Sequence, residues 1–479
     1  MGKLVDRHNE RNELYSLSQT GKPEMALLYG RRRVGKTFLL GNIWQNPFYF
    51  LAADTTSETN RKDLLDELRQ WSNKELIPED YPTWRSVFRL MSQTQIQNAN
   101  GESPVFILDE FQYLLGQKDD IVSQLTAIWD RELNDSSMLL VLCGSEVATM
   151  ESLQAADSPI FGRLSWSSRL RPFDYYDSSR MLPWLSLREL VYFYGALGGL
   201  PRYLSAVKQG ENLRESLSRI LLSTRGEVHV QLQNIVSGEK GIRNSAEYDA
   251  VLRAIASGQR QLGGISSTAG LQGKTHTARR ALEVLENLDL ICRERNYGAT
   301  PKAPWRYRIA DNSLRFWHRF IEPNRSRLER NLIGNVWEKS ILPSLNIYTG
   351  LIFEDVARQA LLRFNNNMNL PVIATCNRWE GTDKNRRSIE IDIVGRFDSG
   401  EMFSGEVKWS SSPVDPDIHF HLKRNLTDLA ASGKSWANHA LSGKFIYFSA
   451  GGFSEYMKKY AKDNSSITLV SLKDMFPDL

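Results

Sequence analysis

The chain has 479 residues and a mass of 54.8 kDa, more than a single hydrophobic core supports, so three or four domains of about 150 residues each are expected. Hydrophobic residues at 41% and charged residues at 24% are ordinary globular proportions, and a formal charge of +4 permits a nucleic-acid partner without arguing for one. Three widely separated cysteines, Cys143, Cys292 and Cys376, exclude a cysteine-rich zinc site, and the lack of a membrane-length apolar run predicts no membrane partner and a cytoplasmic location.

Residues 3–20 hold Asp6-Arg7-His8-Asn9-Glu10 ahead of Leu14, Tyr15 and Leu17. They read as a short amphipathic helix that either packs over a nucleotide base or simply covers a sheet edge. The apolar run Met25-Ala26-Leu27-Leu28-Tyr29 reads as a strand, and Gly30-Arg31-Arg32-Arg33-Val34-Gly35-Lys36-Thr37 follows it at once, meeting every fixed position of G-x-x-x-x-G-K-[ST]. Lys36 to Asn42 reads as a helix, so the loop amides and the helix start would converge on the phosphates of ATP or ADP along the cradle Gly30 to Phe38. In that cradle Gly30 and Gly35 admit close backbone approach, Lys36 supplies a point charge for the β- and γ-phosphates, and Thr37 a hydroxyl for Mg2+.

Phe48-Tyr49-Phe50-Leu51-Ala52 reads as the next strand, and helices are expected over Asn60 to Leu76 and Thr83 to Gln97, the second with Trp84, Val87, Phe88 and Met91 at helical spacing. Val105-Phe106-Ile107-Leu108-Asp109-Glu110 is an apolar strand ending in two carboxylates. This is what a Walker B strand needs: Asp109 to hold hydrated Mg2+ and Glu110 to polarise the attacking water. A third strand, Met138 to Cys143, leads to Gly144-Ser145, where Ser145 either senses the γ-phosphate or closes an ordinary strand-end turn. This alternation predicts an α/β fold with a parallel sheet and ligands at the carboxyl ends of its strands. Arg163, after Ser158-Pro159-Ile160-Phe161-Gly162, is a candidate for the γ-phosphate in its own site or a neighbouring subunit's, which a homo-oligomer would supply; the plain alternative is a surface arginine after a turn.

Residues 174–240 read as helical, with Gly198-Gly199 ending one helix and Pro201 beginning the next: a lid following the core, or a plain connector. Helices over Tyr248 to Ala256, Leu262 to Leu271 and Thr275 to Leu288, then strands at Leu290 to Glu294 and Trp305 to Ile309, make a winged helix. Lys274, His276, Arg279 and Arg280 on its third helix and Arg293, Arg295 and Lys302 on the wing suit DNA, while packing against another domain is the alternative. The aromatic stripe Phe316, Trp317 and Phe320 reads as core.

The remaining chain reads as a separate α/β domain: a helix Gly350 to Leu362 carrying Glu354, and strands Ile389 to Val394, Glu401 to Trp409 and Lys444 to Ser449. Alternation puts Glu390, Asp392 and Val394 on one face of the first strand, and Glu406 and Lys408 on one face of the second. Asp392, Glu406 and Lys408 would then converge with Glu354 on a second divalent cation, Mg2+ or Mn2+, the lysine orienting or activating water. Asp392 followed by Glu406-x-Lys408 is the arrangement of the PD-(D/E)xK nucleases; a degenerate domain with merely hydrogen-bonded carboxylates is the alternative.

Taken together, these stretches resemble a prokaryotic, largely archaeal-type family of P-loop ATPases that join an AAA-like or STAND-like core to a winged helix and a C-terminal nuclease-like domain. The markers are the phosphate loop, Leu108-Asp109-Glu110-Phe111-Gln112, Gly144-Ser145, Gly198-Gly199-Leu200-Pro201, Tyr307-Arg308-Ile309-Ala310-Asp311-Asn312, Glu390-Ile391-Asp392-Ile393 and Gly405-Glu406-Val407-Lys408. The resemblance implies that Lys36, Thr37, Asp109 and Glu110 bind and hydrolyse ATP with Mg2+. Glu146 stands where the family often has a second serine, which leaves the sensor role to Ser145. The domains expected are an ATPase core (1–173), a helical lid (174–240), a winged helix (241–325) and a nuclease-like domain (326–479). Two functions fit: an ATPase whose nucleotide state directs the winged helix and nuclease-like module on DNA, or a STAND-like switch whose inactive C-terminal domain binds a partner protein.

Overall fold

The computed structural model describes residues 5–94, 103–116, 120–133, 136–238 and 244–479. Residues 3–4 of the expected first helix, 95–97 of the helix expected to end at Gln97, and the expected boundary at 240/241 lie outside them. The chain divides into two compact units, one ending at Pro172 and the other beginning at Phe173.

The first unit is built on five parallel strands: β1 (Glu24–Tyr29), β2 (Phe48–Leu51), β3 (Val105–Asp109), β4 (Leu139–Gly144) and β5 (Trp166–Arg169), in the order β2-β3-β4-β1-β5. All of β3 and β4, and β1 beyond Glu24, are buried, as expected of strands covered on both faces. Their near-continuous apolar sequences follow from that burial. The edge strand β5, Trp-Ser-Ser-Arg, carries no such signal and is defined by its backbone pairing with β1. Helices Ser57–Ser72, Trp84–Gln93 and Ile121–Glu132 supply Leu64, Leu68, Trp84, Phe88, Leu125 and Ile128 to the core. Each begins on a side-chain cap: Thr56 on Thr59 N, Thr83 reciprocally with Ser86, and Asp120 on Ser123 N.

The second unit starts with short helices, among them Tyr175–Arg180, Leu187–Leu197 and Glu227–Gln233. Helices Ser245–Ala256, Leu262–Thr268 and Thr275–Asn287 and the antiparallel hairpin β6 (Ile291–Glu294) and β7 (Arg306–Ile309) follow, in winged-helix order, around a core of Leu252, Ile265, Leu282, Leu285 and Ile309. Phe316 and Phe320 are buried with ring centroids 4.8 Å apart, so the aromatic stripe is core. The long helix Leu342–Phe364 then leads to a five-stranded mixed sheet: β8 (Ile373–Thr382), β9 (Ser388–Phe397), β10 (Met402–Lys408), β11 (Lys444–Ser449) and β12 (Ile467–Ser471). Strands β8 to β10 are antiparallel neighbours, and β10, β11 and β12 run parallel. Strands β8 and β12 are additions to the three strands expected from sequence.

Within this unit Asp355 is an electrostatic knot. It accepts from Arg308 on β7 (3.1 Å), Arg315 (3.2 Å) and Arg358. Burial alone would raise its pKa, but the three guanidiniums hold it well below the usual carboxylate range. The knot joins the winged helix to the long helix, and Tyr348 ties that helix to the Gly195 carbonyl (2.7 Å). Asp355→Asn leaves three crowded arginines without their counter-charge. It is expected to cost about 3–5 kcal/mol in denaturant unfolding, and an unchanged unfolding midpoint would refute the role given to this cluster.

Candidate functional site

The phosphate loop leaves β1 through a turn that only glycine fits. At Gly30 φ is +154°, and a Cβ there would lie 2.3 Å from the Leu170 carbonyl oxygen; Gly35 turns the chain at φ +97° into the helix Lys36–Leu40. Arg33 also adopts a left-handed conformation, φ +72°. Arg31, Val34 and Lys36 are buried, Arg32 donates to the Tyr113 hydroxyl (3.4 Å), and Phe38 is exposed beside the loop. Lys36 Nζ donates to the Gly30 carbonyl (2.7 Å) and the Arg31 carbonyl (3.4 Å), closing the loop on itself.

Thr37 Oγ1 donates to Asp109 Oδ2 (3.1 Å), so the loop hydroxyl and the β3 carboxylate face the same point. Asp109 Oδ1 accepts from the Glu110 amide (2.8 Å). Tyr49 on β2 also donates to Asp109 Oδ2; burial, then the Asp109 charge, push its pKa up and keep it a donor. Sequence reasoning missed Tyr49, because only the register of β2 against β3, Tyr49 opposite Ile107, brings it there. Cys143 is buried on β4, and burial, with Asp109 beside it, raises its thiol pKa.

Glu110 sits at φ +53° just past β3. Ser145 Oγ donates to Glu110 Oε2 (2.7 Å), and Gln112, two residues on, donates to the same oxygen. Gln112 is therefore part of the site although its sequence position marked only a motif. Arg163 is not brought to this cluster: its guanidinium is taken up by Asp130 (2.8 and 2.5 Å) and the Pro159 carbonyl.

In the second unit Glu354, Glu390 and Asp392 place carboxylate oxygens within 4.8 Å of one another. Glu390 enters this group, whereas the sequence reading had used it only to define a face. Asp392 Oδ2 accepts from the Val407 amide (2.9 Å), and Arg358 donates to the Asp392 carbonyl (2.9 Å). Glu406 Oε2 accepts from Lys408 Nζ (3.0 Å), while Glu406 Oε1 is buried and receives no donor. Burial, then Asp392, raise the pKa of Glu354 and of Glu406 to about 8. The simple alternation expected of this strand does not hold. Between Asn377 and Trp379 two steps on β8 face three on β9, from Val394 to Ile391, so a β-bulge lies at Asp392–Ile393. It turns Val394 into the same core as Ile389 and Ile391 instead of leaving it on the face of Glu390 and Asp392.

Lys274, His276, Arg279 and Arg280 are all exposed on or beside the helix Thr275–Asn287. The wing is engaged within the chain. Tyr297 N donates to the Arg378 carbonyl (3.0 Å), Asn296 Nδ2 to the Glu380 carbonyl (2.6 Å) and Asn377 Nδ2 to the Arg295 carbonyl (2.6 Å). Arg260, Arg306 and Arg378 converge on the Glu380 carboxylate. Of the wing cations expected to meet DNA, Arg295 lies over the Trp305 ring (3.7 Å), Arg293 pairs with Glu286 (3.1 Å), and Lys302 is exposed.

Residues 4–207 match a family of ATPase domains found predominantly in Archaea, and residues 317–418 match a family of archaeal and bacterial proteins of unknown function. An uncharacterized protein of Methanocaldococcus jannaschii is 27% identical over 419 residues, spanning 85% of this chain and 87% of that one. The Walker-type ATPase of Pyrococcus abyssi shares the fold over 66% of this chain and 96% of its own, with a TM-score of 0.51 and 21% identity. The Aeropyrum pernix ORC2 protein, solved in ADPNP–ADP complexes, aligns over 70% of this chain and 95% of its own, at a TM-score of 0.42 and 14% identity. No helix among the described residues is long and apolar enough to cross a membrane. With its phosphate loop and β3 carboxylates meeting at Thr37 and Asp109, and its residues 4–207 matching such domains, the chain is a P-loop ATPase that uses ATP and Mg2+.

Proposed function

We propose that the chain couples ATP hydrolysis to a winged helix and a PD-(D/E)xK nuclease-like domain acting on DNA. In the first unit Thr37 and Asp109 hold Mg2+, Lys36 leaves its loop carbonyls for the β- and γ-phosphates, Glu110 polarises water and Ser145 reports on the γ-phosphate. The observation that carries the DNA part is the Glu354, Glu390 and Asp392 cluster beside the buried Glu406. Burial and Asp392 hold a proton on Glu354 and Glu406 that a second Mg2+ or Mn2+ among these hard oxygens would displace. Lys408, which donates to Glu406, would orient water in that site. The exposed cations of the helix Thr275–Asn287 supply a phosphate-binding face within the same unit.

A second reading, a STAND-like switch with a partner-binding C-terminal domain, draws on one observation: the wing is hydrogen-bonded to β8. It implies tight nucleotide retention, little turnover and no divalent-dependent cleavage.

Two measurements separate the readings. Glu110→Gln is expected to lower ATP turnover by about 10²-fold or more while ATP still binds, and undiminished turnover would remove Glu110 as the base. Linear and supercoiled DNA incubated with the protein and Mg2+ or Mn2+, with and without ATP, should be cut by the wild type and not by Asp392→Ala. No cleavage under any condition favours the switch, and equal cleavage by the variant points to a contaminant.

The raised carboxyl pKa values add a pH test. A proton held more tightly when folded stabilises the fold fully below about pH 4.5 and progressively less as pH rises to about 8. In chelator, Glu354→Gln, fixed in the neutral form, should therefore melt with the wild type at acid pH and increasingly above it between about pH 5 and pH 8. A pH-independent difference would contradict the assignment.

A further inference from the structure

Two donors meet on one oxygen of Glu110. Ser145 Oγ is 2.7 Å from Glu110 Oε2, Gln112 Nε2 donates to the same atom, and Gln112 Nε2 also reaches Ser145 Oγ at 3.4 Å. The proton inventory fixes the directions. The carboxylate only accepts, the single serine proton goes to it, and the two amide protons of Gln112 serve Glu110 and Ser145. The result is a closed triangle in which Oε2 is saturated and Oε1 of Glu110 takes no part.

Gln112 gives up something to stand there. It is buried, 8% exposed, and its own Oε1 has no hydrogen-bond partner. A side chain present only for packing would be better served by an apolar residue of the same length, since an unmet buried acceptor opposes folding. The backbone is also shaped around the amide: a Cβ on Gly144 would lie 2.5 Å from Gln112 Oε1 and 2.5 Å from Met150 Sδ. Gly144, at the end of β4, is thus the floor on which the amide rests. The donors come from two places, Ser145 just past β4 and Gln112 from the turn after β3, so Glu110 is gripped from both strand ends.

We propose that Gln112 is a positioning residue for hydrolysis: with Ser145 it anchors Oε2 of Glu110 and thereby sets the rotamer that presents Oε1 to the attacking water. This rests on the reading of Glu110 as the base. Fixing one carboxylate oxygen removes a rotation that would otherwise have to be frozen when water and γ-phosphate are aligned. The contribution falls on the chemical step and not on nucleotide affinity, because Gln112 makes no hydrogen bond to the phosphate loop.

The test is a double-mutant cycle on the full chain, reading kcat, KM and ATP affinity at saturating Mg2+, with folding checked by thermal melting. Gln112→Met keeps length and burial while deleting the donors. It is expected to lower kcat by about 10²-fold with KM and ATP affinity within about twofold. Gln112→Glu keeps the shape, replaces the donor with a like charge, and should lose at least as much, so either variant decides the matter if the other fails to fold. In a Glu110→Gln background, Gln112→Met should change kcat no further. Wild-type kcat in the folded Gln112 variants, or a full additional loss in the Glu110→Gln background, overturns the positioning role while leaving Glu110 as base. Wild-type turnover in Glu110→Gln alone overturns the base assignment and this role with it.

Discussion

The hydrogen bond between Thr37 and Asp109 is the contact on which the ATPase half depends. The two residues are 72 positions apart in sequence, on the carboxyl sides of strands β1 and β3 that are not neighbours, with β4 between them. The parallel arrangement is what lets them meet, since every strand delivers its last residue to the same edge. The same edge receives Ser145 after β4 and Tyr49 from β2, so four strands bring polar groups to it. The tight turn at Gly30 keeps the loop close enough to share that edge, and the approach of Leu170 leaves no room for a side chain there.

The second unit solves a different problem. Its winged-helix-like region, long helix and mixed sheet are tied by charge clusters as well as by aromatic packing, with Asp355 gripped by arginines from three segments and Glu380 by three more. Buried ion pairs of this kind add little net stability over apolar packing, but they penalise any arrangement that separates the partners. They hold the winged helix and the sheet in one fixed relation. The carboxylates at Glu354, Asp392 and Glu406 lie in the same body, and burial and mutual repulsion raise the pKa values of Glu354 and Glu406.

What the sequence revealed follows the physics of burial. Strands β1, β3 and β4 were legible because strands covered on both faces read as apolar runs, and β9 and β10 because apolar residues flank their acids. Strands β5 and β8 were not, since a polar edge strand is defined by the neighbour it pairs with. The bulge at Asp392–Ile393 was invisible for the same reason: it is a mismatch of count between two strands, and neither sequence alone contains it. At the site, Lys36, Thr37, Asp109 and Glu110 were legible from spacing. Tyr49 and Gln112 were not, because strand register and the approach of β4 give them their neighbours.

The loop of the wing runs along β8, the outermost strand of the C-terminal sheet, takes up the backbone carbonyls of Arg378 and Glu380 and the Glu380 amide, and accepts from the Asn377 side chain. An uncovered outer strand offers a row of free backbone groups to which any other extended chain can add itself, and proteins blunt such rims with loops, charges or bulges. Here the loop joining β6 and β7 serves as the hem of the sheet, with Gly298 close against Trp436. The wing loop thus occupies a margin that the sheet itself leaves open.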